Sequence, residues 1–227
     1  MTVIEIDVAF DFVCAWCYIG KRQLEMAISL YQKTYPGGRR DTFSITWRPY
    51  YLNYNPSRHS VDKAELAETR LSDMTPERRE ALTRCMEQIG RSVGIGFRWG
   101  GKIGPDTRDA HRLVRLGRAK APEVGGALVE KLLEAYHELE RDISDREVLR
   151  DAAVSVGLDA ADVDSLWSSG EGYDEVDAEE RRTREAAAGS GVPTFIIQGV
   201  HRLGGVQDPS DFYEVFVQVK DGEAAAM

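Results

Sequence analysis

The sequence is poor in cysteine, has no basic excess and lacks any long apolar run. Its 227 residues contain 3 Cys, too few and too unevenly spaced for a disulfide framework, so a close pair among them reads as catalytic or metal-binding. Lys and Arg number 29 against 38 Asp and Glu, a net charge of −9. A chain this acidic is not a general binder of nucleic acid, because such affinity comes from clustered cations that release counterions. No stretch reaches the ~18–20 apolar residues that span a bilayer; the longest, such as Val192 to Ile197, are strand length, and no membrane partner is expected. Glu5 and Asp7 lie in the first ten residues and no basic residue precedes Lys21, which is not the pattern of a secretory signal. The expectation is a chain mature from Met1 and cytoplasmic.

Hydrophobic residues make up 42% of the chain, enough to bury a core without a disulfide or metal staple. Val3, Ile4, Ile6, Val8 and Phe10 read as a mostly buried strand. A helix follows with Leu24, Ala27, Ile28 and Tyr31 on one face, until Pro36-Gly37-Gly38 ends it. Phe43 to Trp47 alternates as a second strand, and a crossover of that length favours a parallel pair. From about 60 to 190 the pattern is helical. Thr75-Pro76 reads as an N-cap with Pro at the first helical position, opening a stripe of Leu82, Cys85, Met86, Ile89 and Val93. Further helices are expected near 107–119, 123–140, 145–156, 160–167 and 174–188, the third of these opened by a Ser144/Glu147 capping box. Thr194–Ile197, a Gln198-Gly199 turn and Val200–Leu203 form a hairpin, and Asp208-Pro209 starts a last helix with a frayed Glu-Ala-Ala-Ala-Met tail. The order βαβ, helical block, ββα is that of an α/β thioredoxin-like fold with a large all-helical insertion. The thioredoxin-like domain is set at 1–55 and 180–222, and the insertion at 56–179.

Cys14-Ala15-Trp16-Cys17 falls at the junction of the first strand and first helix, the context that gives a C-x-x-C pattern its meaning. With Cys14 at the N-cap, its sulfur would accept hydrogen bonds from the N–H groups of Trp16 and Cys17 and feel the positive end of the helix dipole. Both favour thiolate, which makes Cys14 the attacking nucleophile. Cys17, one turn on, is placed to displace a partner from Cys14 and close the intramolecular disulfide. No metal is expected: zinc would need two further ligands, and His59, His111, His137 and His201 show no paired spacing. Pro193, taken alone, reads as a trans proline entering a strand.

Six strings, Asp11-Phe-Val-Cys14-Ala-Trp-Cys17-Tyr-Ile-Gly-Lys21, Trp47-Arg-Pro49-Tyr-Tyr-Leu-Asn53, Ala110-His-Arg-Leu113, Ile143-Ser-Asp145, Gly191-Val-Pro193-Thr-Phe195 and Gly204-Gly-Val-Gln207, occur together and in order. In them the chain resembles the DsbA-like thioredoxin-fold oxidoreductases of the FrnE type. The resemblance implies thiol–disulfide oxidoreductase activity on protein or small thiol substrates, with Cys14 as nucleophile and Cys17 as resolving thiol. It implies no bound cofactor, with glutathione or a thioredoxin system as redox partner. It also implies that Pro193 is cis and faces the cysteines, which reverses the reading from the residue alone and leaves the Val192 backbone free to pair with an extended substrate. The family usually has Pro where this chain has Ala15. An alternative is a glutathione-dependent isomerase or transferase of the 2-hydroxychromene-2-carboxylate isomerase or kappa-class type; those typically keep Ser at the nucleophile position, where this chain has Cys14.

Trp16 is expected to contact a bound peptide. His111 opens a helix that could cover the site and tune Cys14, against the alternative of a partly buried histidine bonded to backbone. Lys21 reads as a solvated helix-face lysine, Cys85 as a core cysteine, and the run Asp174 to Glu185 as a solvated, salt-bridged face.

Overall fold

The structure, a computed structural model, describes residues 1–226. The chain divides into two compact units, Met1–Tyr50 with Glu180 onward, and Tyr51–Glu179. The first crossing falls at 50/51 where 55/56 was expected. The Tyr50 N–H donates to Phe10 O at 3.0 Å and so ends the strand ladder, whereas Asn55 already bonds Ile103 O, also at 3.0 Å.

The first unit is built on a four-stranded sheet of β1 (Val3–Phe10), β2 (Thr42–Pro49), β5 (Thr194–Ile197) and β6 (His201–Gly204), in the order β2-β1-β5-β6. β1 runs parallel to β2, from Val3↔Thr42 to Phe10↔Pro49, and antiparallel to β5, from Ile6↔Ile197 to Ala9↔Thr194. Helix α1 (Ala15–Thr34) makes the crossover between β1 and β2. Its buried residues Cys17, Tyr18, Lys21, Leu24, Ala27 and Tyr31 recur every three to four positions, which is the spacing of one helix face. The helix stops at Tyr35, held extended (ψ 133) because the following Pro36 disfavours helical backbone there. The last helix, α9 (Pro209–Ala226), packs against α1. It is helical to Ala226 where a frayed tail was expected; Met227 lies outside the described residues. Ile4, Ile6, Val8, Phe10, Leu24, Phe195, Ile197, Phe212 and Phe216 fill the core, with Phe195 edge-on to Phe212 at 4.8 Å between centroids.

The hairpin turn is one residue longer than expected. Ile197 pairs with His201, so Val200 belongs to the turn and its N–H donates back to Ile197 O.

The second unit holds α2 (Lys63–Arg70), α3 (Pro76–Ser92), α4 (Arg108–Lys120), α5 (Pro122–His137), α6 (Arg146–Ser155) and α7 (Ala160–Ser168). It is not all helix: β3 (Val61–Asp62) and β4 (Lys102–Ile103) pair antiparallel, too short a ladder to leave a periodic signal. Thr75 caps α3 as expected, accepting from the Arg78 N–H. The cap of α6 is Asp145, not Ser144, and Asp145 takes the Glu147 N–H at 2.9 Å. The stripe on α3 turns outward, since the helix buries Met86 and Gly90 while Leu82 and Cys85 are exposed. Cys85 is therefore a surface thiol. Helix α8 (Tyr173–Ala186) is not wholly solvated, because Glu179, Glu180 and Thr183 are buried; Glu180 there accepts from Arg184, whose guanidinium also lies over the Tyr50 ring at 4.1 Å.

Candidate active site

Cys14 stands at the N-cap of α1 with extended backbone (φ −91, ψ 107). Its N–H donates to Asp11 O at 3.2 Å and its own carbonyl accepts from Cys17 N–H at 3.0 Å. This turn follows directly from β1, so the strand end aims the cysteine and the helix start fixes it. One expected feature is absent: the Cys14 side chain makes no cap hydrogen bond. The sulfur points elsewhere, in a weak S–H contact to Val192 O at 3.8 Å.

Cys17 is 2% exposed and Cys14 6%; both are free thiols and their side chains are hydrogen-bonded to each other. The Cys17 thiol is pushed well above its ordinary value, first by burial and then by the bond to Cys14 and the charge Cys14 carries as a thiolate; a backbone hydrogen bond from Asp11 acts the other way. The pair is thus unequal. Cys17 keeps its proton, and Cys14 is the more accessible sulfur.

The Val192–Pro193 peptide is cis, as the family resemblance implied and the residue alone did not. Gly191 turns the chain into this segment with φ 68, a left-handed value that glycine adopts without strain. Thr194, fully buried, donates its hydroxyl to Gly191 O at 2.6 Å, and the Gly205 N–H donates to Pro193 O at 2.8 Å. Val192 is therefore held from both sides, with its carbonyl at the sulfur.

The structure brings together Cys14, Cys17, Val192 and Pro193. Trp16 sits between the cysteines and is 42% exposed. His111 belongs to the other unit, where it is 4% exposed on α4 and lies 5.7 Å from the Tyr51 ring. Lys21 is 5% exposed and paired with Glu25, so it is not a solvated lysine: its position seven residues after Cys14 puts it on the buried face of α1. Asp11 and Gly20 were given no role from sequence. A glycine inside a helix costs about 1 kcal/mol against alanine, and that cost at Gly20 was the available signal. Among the described residues no group of three His, Cys, Asp or Glu side chains is gathered as a metal site, and no helix is long and apolar enough to cross a membrane.

A cysteine pair at the start of the first helix, facing the loop that enters an antiparallel strand, on a parallel βαβ unit continued by a ββα unit, defines a thioredoxin-like domain. Comparison with known proteins narrows this. The chain belongs to the DSBA-like thioredoxin domain family, whose model matches residues 5–216, and so to a family of thiol–disulfide oxidoreductases. Its fold is shared with a probable DsbA oxidoreductase from Streptomyces coelicolor (24% identity, TM-score 0.81, covering 96% of this chain and 90% of that one). It is shared also with a 2-hydroxychromene-2-carboxylate isomerase (15%, 0.63, 98% and 99%) and with the cytosolic disulfide reductase DsbM from Pseudomonas aeruginosa, solved with GSH (18%, 0.59, 95% and 98%).

Proposed function

We propose that the protein exchanges disulfides through Cys14 and Cys17, acting on protein or small-molecule thiols in the cytosol with glutathione as a redox partner. The observation that carries this reading is the pair itself: a nucleophile at a helix N-cap beside a buried thiol that keeps its proton until it is needed. In the reducing direction the Cys14 thiolate attacks one sulfur of a substrate disulfide. The substrate S–S bond breaks, a Cys14–substrate bond forms, and one substrate thiolate leaves. Cys17 then loses its proton and attacks Cys14, releasing the second substrate thiolate and closing Cys14–Cys17, so two electrons pass from the pair to the substrate. The oxidising direction reverses each step, and two molecules of glutathione would return the pair to dithiol with formation of glutathione disulfide. Beside the sulfur, the Val192 carbonyl would accept an N–H from an extended substrate backbone, a short case of strand addition, and Trp16 would cover the bound segment.

The support from known proteins is the family membership and the likeness to a cytosolic reductase solved with GSH. The test uses three forms of the protein with a fluorogenic peptide disulfide. Cys14→Ser is expected to abolish exchange, and Cys17→Ala to accumulate a covalent Cys14–substrate adduct visible by mass. Unchanged turnover in Cys14→Ser would overturn the thiol mechanism. Retention of glutathione on an affinity column, together with conversion of a small aromatic substrate that survives Cys17→Ala, would move the protein to the isomerase or transferase class.

A further inference from the structure

Helix α1 contains one glycine, Gly20, at the position one turn beyond Cys17 and on the same buried face. No turn or left-handed backbone requires it, so the helix carries its propensity cost without a backbone reason. The reason lies across the packing interface. A methyl group built on Gly20 would lie 3.1 Å from Pro193 Cγ and 3.1 Å from Phe195 Cζ, inside the ordinary carbon–carbon contact of about 3.5–4.0 Å. Phe195 cannot retreat freely, since it is fully buried against Phe212. Pro193 is the residue after Val192, whose carbonyl stands 3.8 Å from Cys14 Sγ.

We propose that Gly20 is a positioning residue: its missing side chain lets the Pro193 ring seat against α1, and that seat sets where the Val192 backbone, to which an extended substrate would pair, stands beside the Cys14 sulfur. The inference rests on the proposed thiol–disulfide exchange and adds a residue on which exchange with extended peptides, but not with small disulfides, depends. A small disulfide needs only the sulfur. A peptide needs the sulfur and the Val192 backbone in register, so a displacement of a few tenths of an ångström at Pro193 is felt by the peptide alone.

The experiment compares wild type, Gly20→Ala and Gly222→Ala, the last a helical glycine of α9 with nothing within 4 Å of its would-be Cβ and thus a control for helix propensity. Each reduced protein is assayed with an aromatic small-molecule disulfide and with a peptide disulfide in an extended sequence. Gly20→Ala is expected to raise KM for the peptide about tenfold or more while leaving the small-disulfide rate within about twofold; Gly222→Ala should change neither. Phe195→Leu empties the other side of the same contact and should show the same split, which keeps the question answerable if Gly20→Ala does not fold. Equal loss on both substrates, or no loss on either in the folded variants, overturns the inference. Failure of the underlying reading is separate, since it would appear as absence of small-disulfide exchange in the wild type.

Discussion

At the scale of single residues, the asymmetry between the two thiols is the property with chemical consequence. Because burial and the Cys14 bond hold the Cys17 proton, iodoacetamide at neutral pH is expected to add once per reduced cysteine pair, at Cys14, with Cys17 unmodified until the protein is unfolded. Cys85, exposed on α3, reacts as an ordinary surface thiol and must be replaced for the count to be clean. Mass spectrometry of the digested adduct decides the matter, and a first label on Cys17 would contradict the assignment of nucleophile and resolver. The pair was legible in the sequence because its chemistry is local: a strand end, a helix start and a spacing of three. What faces the pair was less legible, since Val192 arrives from 178 residues away, and no local pattern states which loop will meet a sulfur.

At the scale of elements, the same division holds. Helix α1 and strand β2 were readable from periodicity, and strand β1 from its nearly unbroken apolar composition, since it is buried at Val8, Ala9 and Phe10 alike. The short β3–β4 ladder was not, having two residues a side. The stripe on α3 misled, because Gly90 receives the Phe97 ring and so rotates the buried face toward Met86. The string Ala110-His-Arg-Leu113 was read for its histidine, and its structural content is Arg112. The Arg112 guanidinium is fully buried. It donates to Asp109 Oδ1 at 2.6 Å and to the carbonyls of Leu166 (2.8 Å), Ser169 (3.2 Å) and Glu171 (2.6 Å), while lying 3.7 Å from the Tyr173 ring centroid. Those carbonyls lie at and beyond the end of α7, where helical oxygens lack partners and the dipole is negative. Arg112→Ala strands them, and is expected to cost roughly 3–5 kcal/mol in urea unfolding. Arg112→Lys should recover only part, since an ammonium cannot reproduce the planar fork. A loss below about 1 kcal/mol would show that water replaces the guanidinium.

At the scale of the first unit as a whole, one buried carboxylate ties together distant parts of the chain. Asp41 accepts from the Thr2 N–H and from Lys220 Nζ, each at 2.7 Å, and from the Tyr31 hydroxyl at 3.1 Å, joining the start of β1, the end of α1 and helix α9. Burial alone would raise its pKa, but the hydrogen bonds from Lys220, Thr2 and Tyr31 outweigh it and hold the carboxyl below its ordinary 3.8. The stabilisation is therefore complete by about pH 5, declines as the pH falls past the ordinary value and is gone once it falls through the lowered folded-state value. Lys220→Met is expected to destabilise by about 3 kcal/mol at pH 7, with the difference from wild type shrinking in acid as Asp41 becomes protonated. Unfolding midpoints in urea between pH 2 and 7 measure it; a pH-independent difference would mean that the loss is of packing alone. No sequence pattern announced this network, because its members lie at positions 2, 31, 41 and 220.

The sheet order has a consequence for synthesis. β1 is an interior strand, yet its two partners are delivered at very different times: β2 follows α1 closely, whereas β5 begins at Thr194, 145 residues after β2 ends at Pro49. At a ribosomal pace of roughly 5–20 residues per second, that is an interval of about seven to thirty seconds. Through it the nascent chain carries Cys14 and Cys17 just beyond a half-paired strand with one open edge. Neither Phe195 nor the Val192 carbonyl is yet there to close over the sulfur. The high contact order of this pairing makes late closure of the unit that carries the cysteine pair a built-in feature of how the chain is made.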